Sequence, residues 1–167
     1  LFFTTRYFVG LKTKRIRLSK KILESEQKAL RSQMNPHFIF NSLNSVQYFI
    51  TENDKLKANE YLSEFSMLIR KSFSYSRTNS VTLSQELDLL EKYVQLEQTR
   101  FGNRFDVVWN VEDNLEREIR IPFMIIQPIV ENAIWHGLMK LKKRKGTLEI
   151  FVLSKEEHIV FIIKDNG

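Results

Sequence analysis

SQMNPHFIFNSLNS (residues 32–45) sets a proline directly before a histidine and arranges Asn35, Asn41 and Asn44 around large apolar side chains. At about 100° per residue, Ile39, Leu43, Val46 and Ile50 fall on one narrow stripe, which predicts the core face of an amphipathic helix. His37 falls on the opposite face, with Asn41 one turn later beside it. Pro36 inside such a helix removes a backbone donor and crowds the preceding turn, at a cost of about 3 kcal/mol, so a bend is predicted beside His37. Asparagine is a mediocre helix former, yet it stands at 35, 41, 44 and 59. Local rules broken on one face mark a functional site. A near-neutral, exposed imidazole is a competent nucleophile toward phosphorus.

Working outward, residues 11–50 contain no glycine and one proline, which predicts a long helix. Leu11, Leu18, Ile22 and Ala29 place a weak heptad seam at its start, suited to pairing with a second copy. TENDKLK (51–57) is a polar break. A second helix is predicted over 58–77, with Ala58, Tyr61, Leu62, Phe65, Leu68, Ile69 and Ser72 as its stripe. A third is predicted over 83–100 on Leu83, Leu87, Leu90 and Val94, capped by Thr82 or Ser84. The texture changes near residue 100. Phe105, Val107, Trp109 and Val111 alternate as a half-buried strand does. Pro122 is placed to open a helix that runs through FMIIQPIVENAIWHGL (123–138), with Pro128 as an irregularity. KLKKRKG (140–146) is a basic turn, and TLEIFVL (147–153) with HIVFIIK (158–164) reads as a hairpin around SKEE.

The chain has 167 residues, 43% of them apolar, enough for a core in one or two domains. It has no cysteine, which excludes disulfides and thiolate zinc sites. His37, His136 and His158 share no metal-ligand spacing. The net charge of +6 is concentrated in residues 1–50, where nine Lys/Arg face two Glu. KTKRIRLSKK (12–21) suits an anionic membrane surface. With the apolar LFFTTRYFVGL before it, residues 1–21 read as the cytoplasmic end of a transmembrane or juxtamembrane segment obeying the positive-inside rule. Nucleic-acid binding through 12–21 is the weaker reading, because aromatic interleaving is missing; no direct nucleic-acid partner is expected.

QMNPHFIFNSLNSV resembles the phosphoacceptor box of sensor histidine kinases, specifically the LytS-like family with its N-P-H-F-x-F-N-x-L-N pattern. The resemblance implies that His37 is autophosphorylated. It implies a dimerisation and phosphotransfer hairpin over residues 22–80, two of which would form a homodimeric four-helix bundle. Better-known histidine kinases place an acid immediately after the histidine, where this chain and the LytS-like branch have Phe38, so the general base stays open. Asn41 occupies the position at which many histidine kinases orient water for phosphatase action.

In PFMIIQPIVENAIWHG, Glu131 and Asn132 present a carboxylate and an amide oxygen side by side, suited to a hard cation carrying phosphates. His136, four residues on, shares the face of Asn132. IIKDNG closes the chain as a strand running into Asp165, Asn166 and Gly167. Together these resemble the ATP-binding fold shared by histidine kinases, gyrase and MutL. By that resemblance Asn132 ligates Mg²⁺, Asp165 accepts a hydrogen bond from the adenine amino group, and Gly167 begins the first glycine box. His136 and Asn166 then belong to the cofactor-binding set, and Glu131 serves as a base or through metal-bound water. Relatives often carry Lys where this chain has Trp135. No Walker-type G-x-x-x-x-G-K-[ST] occurs, which excludes a P-loop kinase.

The implied fold is therefore α+β: a helical hairpin followed, over residues 81–167, by the first part of an α/β-sandwich ATPase domain. The family's lid and second glycine box lie beyond the pattern in this sequence, so the chain alone is expected to bind ATP poorly. The implied activity is autophosphorylation of His37 from Mg·ATP and transfer to an aspartate of a response regulator, of LytTR type by family resemblance. The implied setting is the cytoplasmic side of a membrane protein. The alternative is a non-catalytic dimeric interaction module that keeps the fold.

Overall fold

The computed structural model describes residues 36–78, 80–142, 144–156 and 158–167. The chain falls into two compact units, Leu1–Asn41 and Ser42–Gly167. The predicted helix through 11–35, its heptad seam, the bend at Pro36 and the juxtamembrane reading of 1–21 lie outside the described residues. Among the described residues no helix is long and apolar enough to cross a membrane.

The first described helix, α1, is Pro36–Thr51. Its buried positions are Phe38, Ser42, Ser45 and Phe49, a quarter turn away from the stripe read from the sequence. Leu43 and Ile50 are instead 48% and 58% exposed. The reason is visible where α1 meets α2, Lys55–Tyr75. The Tyr61 ring packs edge-on to Phe49 at 5.6 Å, and its hydroxyl donates to Ser42 Oγ at 3.3 Å. Two small serines admit an aromatic ring that Leu43 and Ile50 would exclude, and an aromatic pair with a satisfied hydroxyl outweighs two aliphatic contacts.

The connection takes three residues. Asn53 adopts the left-handed region at φ 59°, and the Asp54 and Asn53 N–H groups donate to the Phe49 and Ile50 carbonyls at 2.9 and 3.0 Å. This is a Schellman closure. Asp54 then caps α2 by accepting from the Lys57 N–H at 3.0 Å. With closure and cap sharing one turn, α2 starts three residues before the predicted 58. Its buried residues are Ala58, Tyr61, Phe65, Leu68 and Ser72, while the expected Leu62 is exposed.

The third helix, α3, is Leu83–Arg100, and Thr82 and Gln85 form a reciprocal capping box at its start. All four predicted stripe residues are buried. It lies alongside α2, with Lys71 Nζ 2.6 Å from Asp88 Oδ2. Strand β1, Val81–Thr82, pairs antiparallel with β3, Arg120–Ile121. A second sheet has the order β2 (Phe105–Val111), β4 (Gly146–Lys155), β5 (His158–Asp165), parallel then antiparallel. β4 alternates buried and half-buried residues along its first eight positions, with Leu148, Ile150 and Val152 fully inside. The result is an α+β chain with mixed sheet pairing.

The helix expected to open at Pro122 opens later. Residues 122–126 form a turn with Met124 at φ 57°, and helix α4 is Gln127–Asn132, with Pro128 in its first turn. Pro128 needs no donor there, whereas a helix begun at Pro122 would hold it in the interior. The turn is held by α3: Glu86, 2% exposed, accepts from the Met124 and Ile126 N–H groups at 3.0 and 3.4 Å. Burial raises the Glu86 carboxyl above its usual range, against the pull of these bonds. Removing this acceptor strands two donors and leaves a cavity. We expect Glu86→Ala to lower the unfolding free energy by about 2–4 kcal/mol in urea denaturation; a loss below about 0.5 kcal/mol would show that the turn holds itself.

Candidate functional site

His37 is exposed in the first described turn of α1, and Asn41, one turn later, is half-buried. Measured from the buried stripe, His37 points roughly 110° away and Asn41 roughly 70° away. The imidazole therefore faces outward, as the sequence reading has it, while Asn41 flanks the buried face. Phe38, immediately after the histidine, is 8% exposed, so the position at which an acid would serve as base is an apolar anchor.

The second constellation lies on the helical run that begins with α4. Its geometry changes twice in 14 residues: α over Gln127–Asn132, π over Ala133–Gly137, and 3-10 over Leu138–Lys140. Single π turns interrupt hydrogen-bonding order and concentrate at functional sites. Here the widened turn spans the sequence AIWHG. Asn132 and His136 are exposed, whereas Glu131 and Trp135 are half-buried. So the Glu131–Asn132 pair divides: the amide is presented outward and the carboxylate leans toward α3, where it interacts electrostatically with Tyr93 and Glu97.

Gly137 is the meeting point of this run with the end of β5. A Cβ on Gly137 would collide with the Asp165 carboxylate, and a Cβ on Gly167 with the Gly137 backbone. Both glycines therefore serve a close approach between two parts of the same chain. Gly167 N–H donates to Asp165 Oδ1 at 3.0 Å. Asn166 Oδ1 accepts from Thr147 N–H at 2.9 Å, and the Arg144 guanidinium donates to the Asn166 carbonyl. Asn132, His136, Asp165 and Gly167 are thus gathered within two short segments that touch. Asn166 ties its turn to β4 through its side chain.

Among the described residues, no group of three or more His, Cys, Asp or Glu is arranged to hold a metal. What the run offers is an amide oxygen on an exposed turn. That suits a cation that keeps its waters and arrives with phosphate oxygens, and does not suit a resident metal caged by protein.

Sequence reasoning missed the support behind this face. Glu97 has 0% side-chain exposure, and Arg100 Nη1 stands 3.0 and 3.4 Å from its two oxygens. The Arg100 guanidinium also lies 4.7 Å over the Phe101 ring and 4.5 Å over the Trp135 ring. Those two rings meet edge-on at 5.2 Å. A signal was present, since Glu97 follows Leu90 by seven residues and Val94 by three, on the stripe that buries α3.

Burial pushes the Glu97 carboxyl up to about 7, outweighing the attraction of Arg100, while Glu131 adds to the rise. The folded state thus binds this proton more tightly than the unfolded chain. The group favours the fold below the ordinary carboxylate range, and that contribution is lost as pH climbs to about 7. We expect the unfolding free energy of the native chain to drop between about pH 4.5 and 7.5 by up to about 3 kcal/mol more than that of Glu97→Gln. Parallel curves for the two proteins would contradict the assignment; Glu86 remains in both, so their difference reports Glu97.

Comparison with known proteins gives a consistent result. A family model described as "Histidine kinase" matches residues 25–105. The chain is 36% identical over 150 residues, 89% of its length, to proteins named "Sensor histidine kinase/phosphatase LytS" from Staphylococcus aureus strains Mu50, N315 and MW2. It spans 25% of the length of those relatives.

Proposed function

This chain belongs to the LytS-like family of histidine kinases, and we propose that it carries the phosphoacceptor and part of the nucleotide site of a sensor kinase in a two-component system. The observation that supports this most is the exposed Asn132–His136 turn packed onto Asp165 and Gly167, in a chain that also carries an outward imidazole at His37.

In this reading His37 supplies the nucleophile through an imidazole nitrogen. Asn132 offers its amide oxygen to Mg²⁺, and His136 stands one turn on to meet phosphate. Asp165, whose Oδ1 already accepts from Gly167 N–H, has a second carboxylate oxygen for an exocyclic amino group. Mg·ATP, when bound, would supply the γ-phosphoryl group, with ADP as the leaving group and Mg²⁺ neutralising the charge on it. Glu131 leans toward Glu97 and Tyr93, a position in which it tunes the turn electrostatically while Asn132 faces ligand. Asn41 beside His37 orients water for the separate phosphatase reaction, in which water takes the phosphoryl group off as inorganic phosphate, in keeping with the kinase/phosphatase name of the relatives.

The apolar stripe left outside on α1, with Phe40, Leu43 and Ile50 exposed, is of the kind that a second copy covers in a four-helix bundle. We therefore propose a homodimer built on a helical hairpin, followed by the first part of an α/β-sandwich ATPase domain. A response regulator, of LytTR type, receives the phosphoryl group on an aspartate, and the chain faces the cytoplasm of a membrane-bound protein.

The test uses the full-length protein with γ-labelled ATP and Mg²⁺. Native protein is expected to acquire acid-labile, base-stable phosphate, and His37→Gln none. Equal labelling of both would move the acceptor off His37. ATP binding with no label on either would leave a dimeric module without the chemistry.

A further inference from the structure

Two features of the candidate site set up the inference. The turn that presents Asn132 and His136 is a π turn, a rare interruption of α-helical hydrogen bonding found mostly as a single turn at functional sites. Trp135, three residues after Asn132 and one before His136, is a side chain by which this turn reaches α3.

At the far side of that contact stands Arg100, in the last turn of α3. Its guanidinium has 11% side-chain exposure, bonds both oxygens of the buried Glu97 through one nitrogen, and lies over Phe101 and Trp135 at 4.7 and 4.5 Å. A planar guanidinium held by a buried carboxylate dictates the plane of a ring stacked on it, which a flexible ammonium does not. Stacking of a cation on indole strengthens when the cation is desolvated, which favours one orientation of the turn that carries Trp135. Arg100 also stands with Tyr93, Glu97 and Glu131 in one charged cluster. Without it, the buried Glu97 loses the guanidinium that bonds both of its oxygens.

We infer that Arg100 is a positioning residue for the nucleotide face, clamped by Glu97 and acting through Trp135 to set how Asn132 meets Mg·ATP. The inference rests on the kinase reading above. It assigns a function to LEQTRF (96–101) that no residue of the proposed site includes.

The experiment measures Mg·ATP affinity of the full-length protein by calorimetry for Arg100→Ala, Arg100→Lys, Trp135→Leu, Asn132→Ala and the Arg100→Ala/Asn132→Ala double variant. Trp135 emission is followed in the 167-residue chain carrying Trp109→Phe, since that chain has two tryptophans. Arg100→Ala and Trp135→Leu are each expected to weaken binding about tenfold, with Arg100→Lys regaining little. Asn132→Ala is expected to lose more, and the double variant no more than Asn132→Ala alone. Trp135 emission should shift in Arg100→Ala while far-ultraviolet dichroism stays native. Native affinity in both Arg100→Ala and Trp135→Leu, beside a large loss in Asn132→Ala, would overturn the clamp and leave the kinase reading standing. Additive losses in the double variant would also overturn it. Native affinity in Asn132→Ala would instead remove the nucleotide-site reading, and the clamp with it. Should Arg100→Ala fail to fold, Trp135→Leu and the double variant Trp135→Leu/Asn132→Ala carry the same comparison.

Discussion

Two carboxylates buried on one helix organise the rest of the described structure. Glu86 and Glu97 sit at the two ends of Leu83–Arg100 at 2% and 0% exposure, where an unpaired charge would be expensive. Each is made tolerable by a specific partner set, and each set adjoins the candidate site. Glu86 accepts the backbone donors of the turn that precedes α4. Glu97 holds Arg100, whose other face lies on Trp135. One helix thereby holds both the turn before Gln127 and the π turn that carries Trp135, across a stretch whose own backbone passes through three hydrogen-bonding patterns.

This arrangement explains how a turn with little regular structure can hold an exposed amide and imidazole in place. Leu89, Leu90, Val130, Ile134 and Leu138 are all nearly fully buried and provide cohesion without direction. Direction comes from the polar groups, because hydrogen bonds and ring stacking are orientation-dependent where apolar contact is not. The glycine at 137 completes the fit by letting the Asp165 carboxylate against the helix.

Much of this was legible in the sequence. The α3 stripe, its Thr82 cap and the final hairpin follow from periodicity and turn chemistry, and the chain's α+β character follows from the change of texture near residue 100. The core face of α1 was not legible, because hydrophobicity alone ranks Leu43 and Ile50 above Ser42 and Ser45. Only the partner ring of Tyr61 shows why small residues belong inside. The start of α4 was hidden for a similar reason: Pro122 and Pro128 both suit a helix opening, and a carboxylate some forty residues earlier in the chain decides between them. The family was legible in a dozen residues around His37, whereas the stacking of Arg100 on Trp135 required coordinates.

The measurement that bears most directly on this account is amide hydrogen exchange across the chain in native protein and Glu86→Ala, under conditions where both remain folded. If α3 anchors the site run, protection falls locally at residues 123–137 and stays native in β4 and β5. Equal loss of protection in all three segments would show only a general weakening of the core, and unchanged protection at 123–137 would contradict the anchoring of the site by the buried carboxylates.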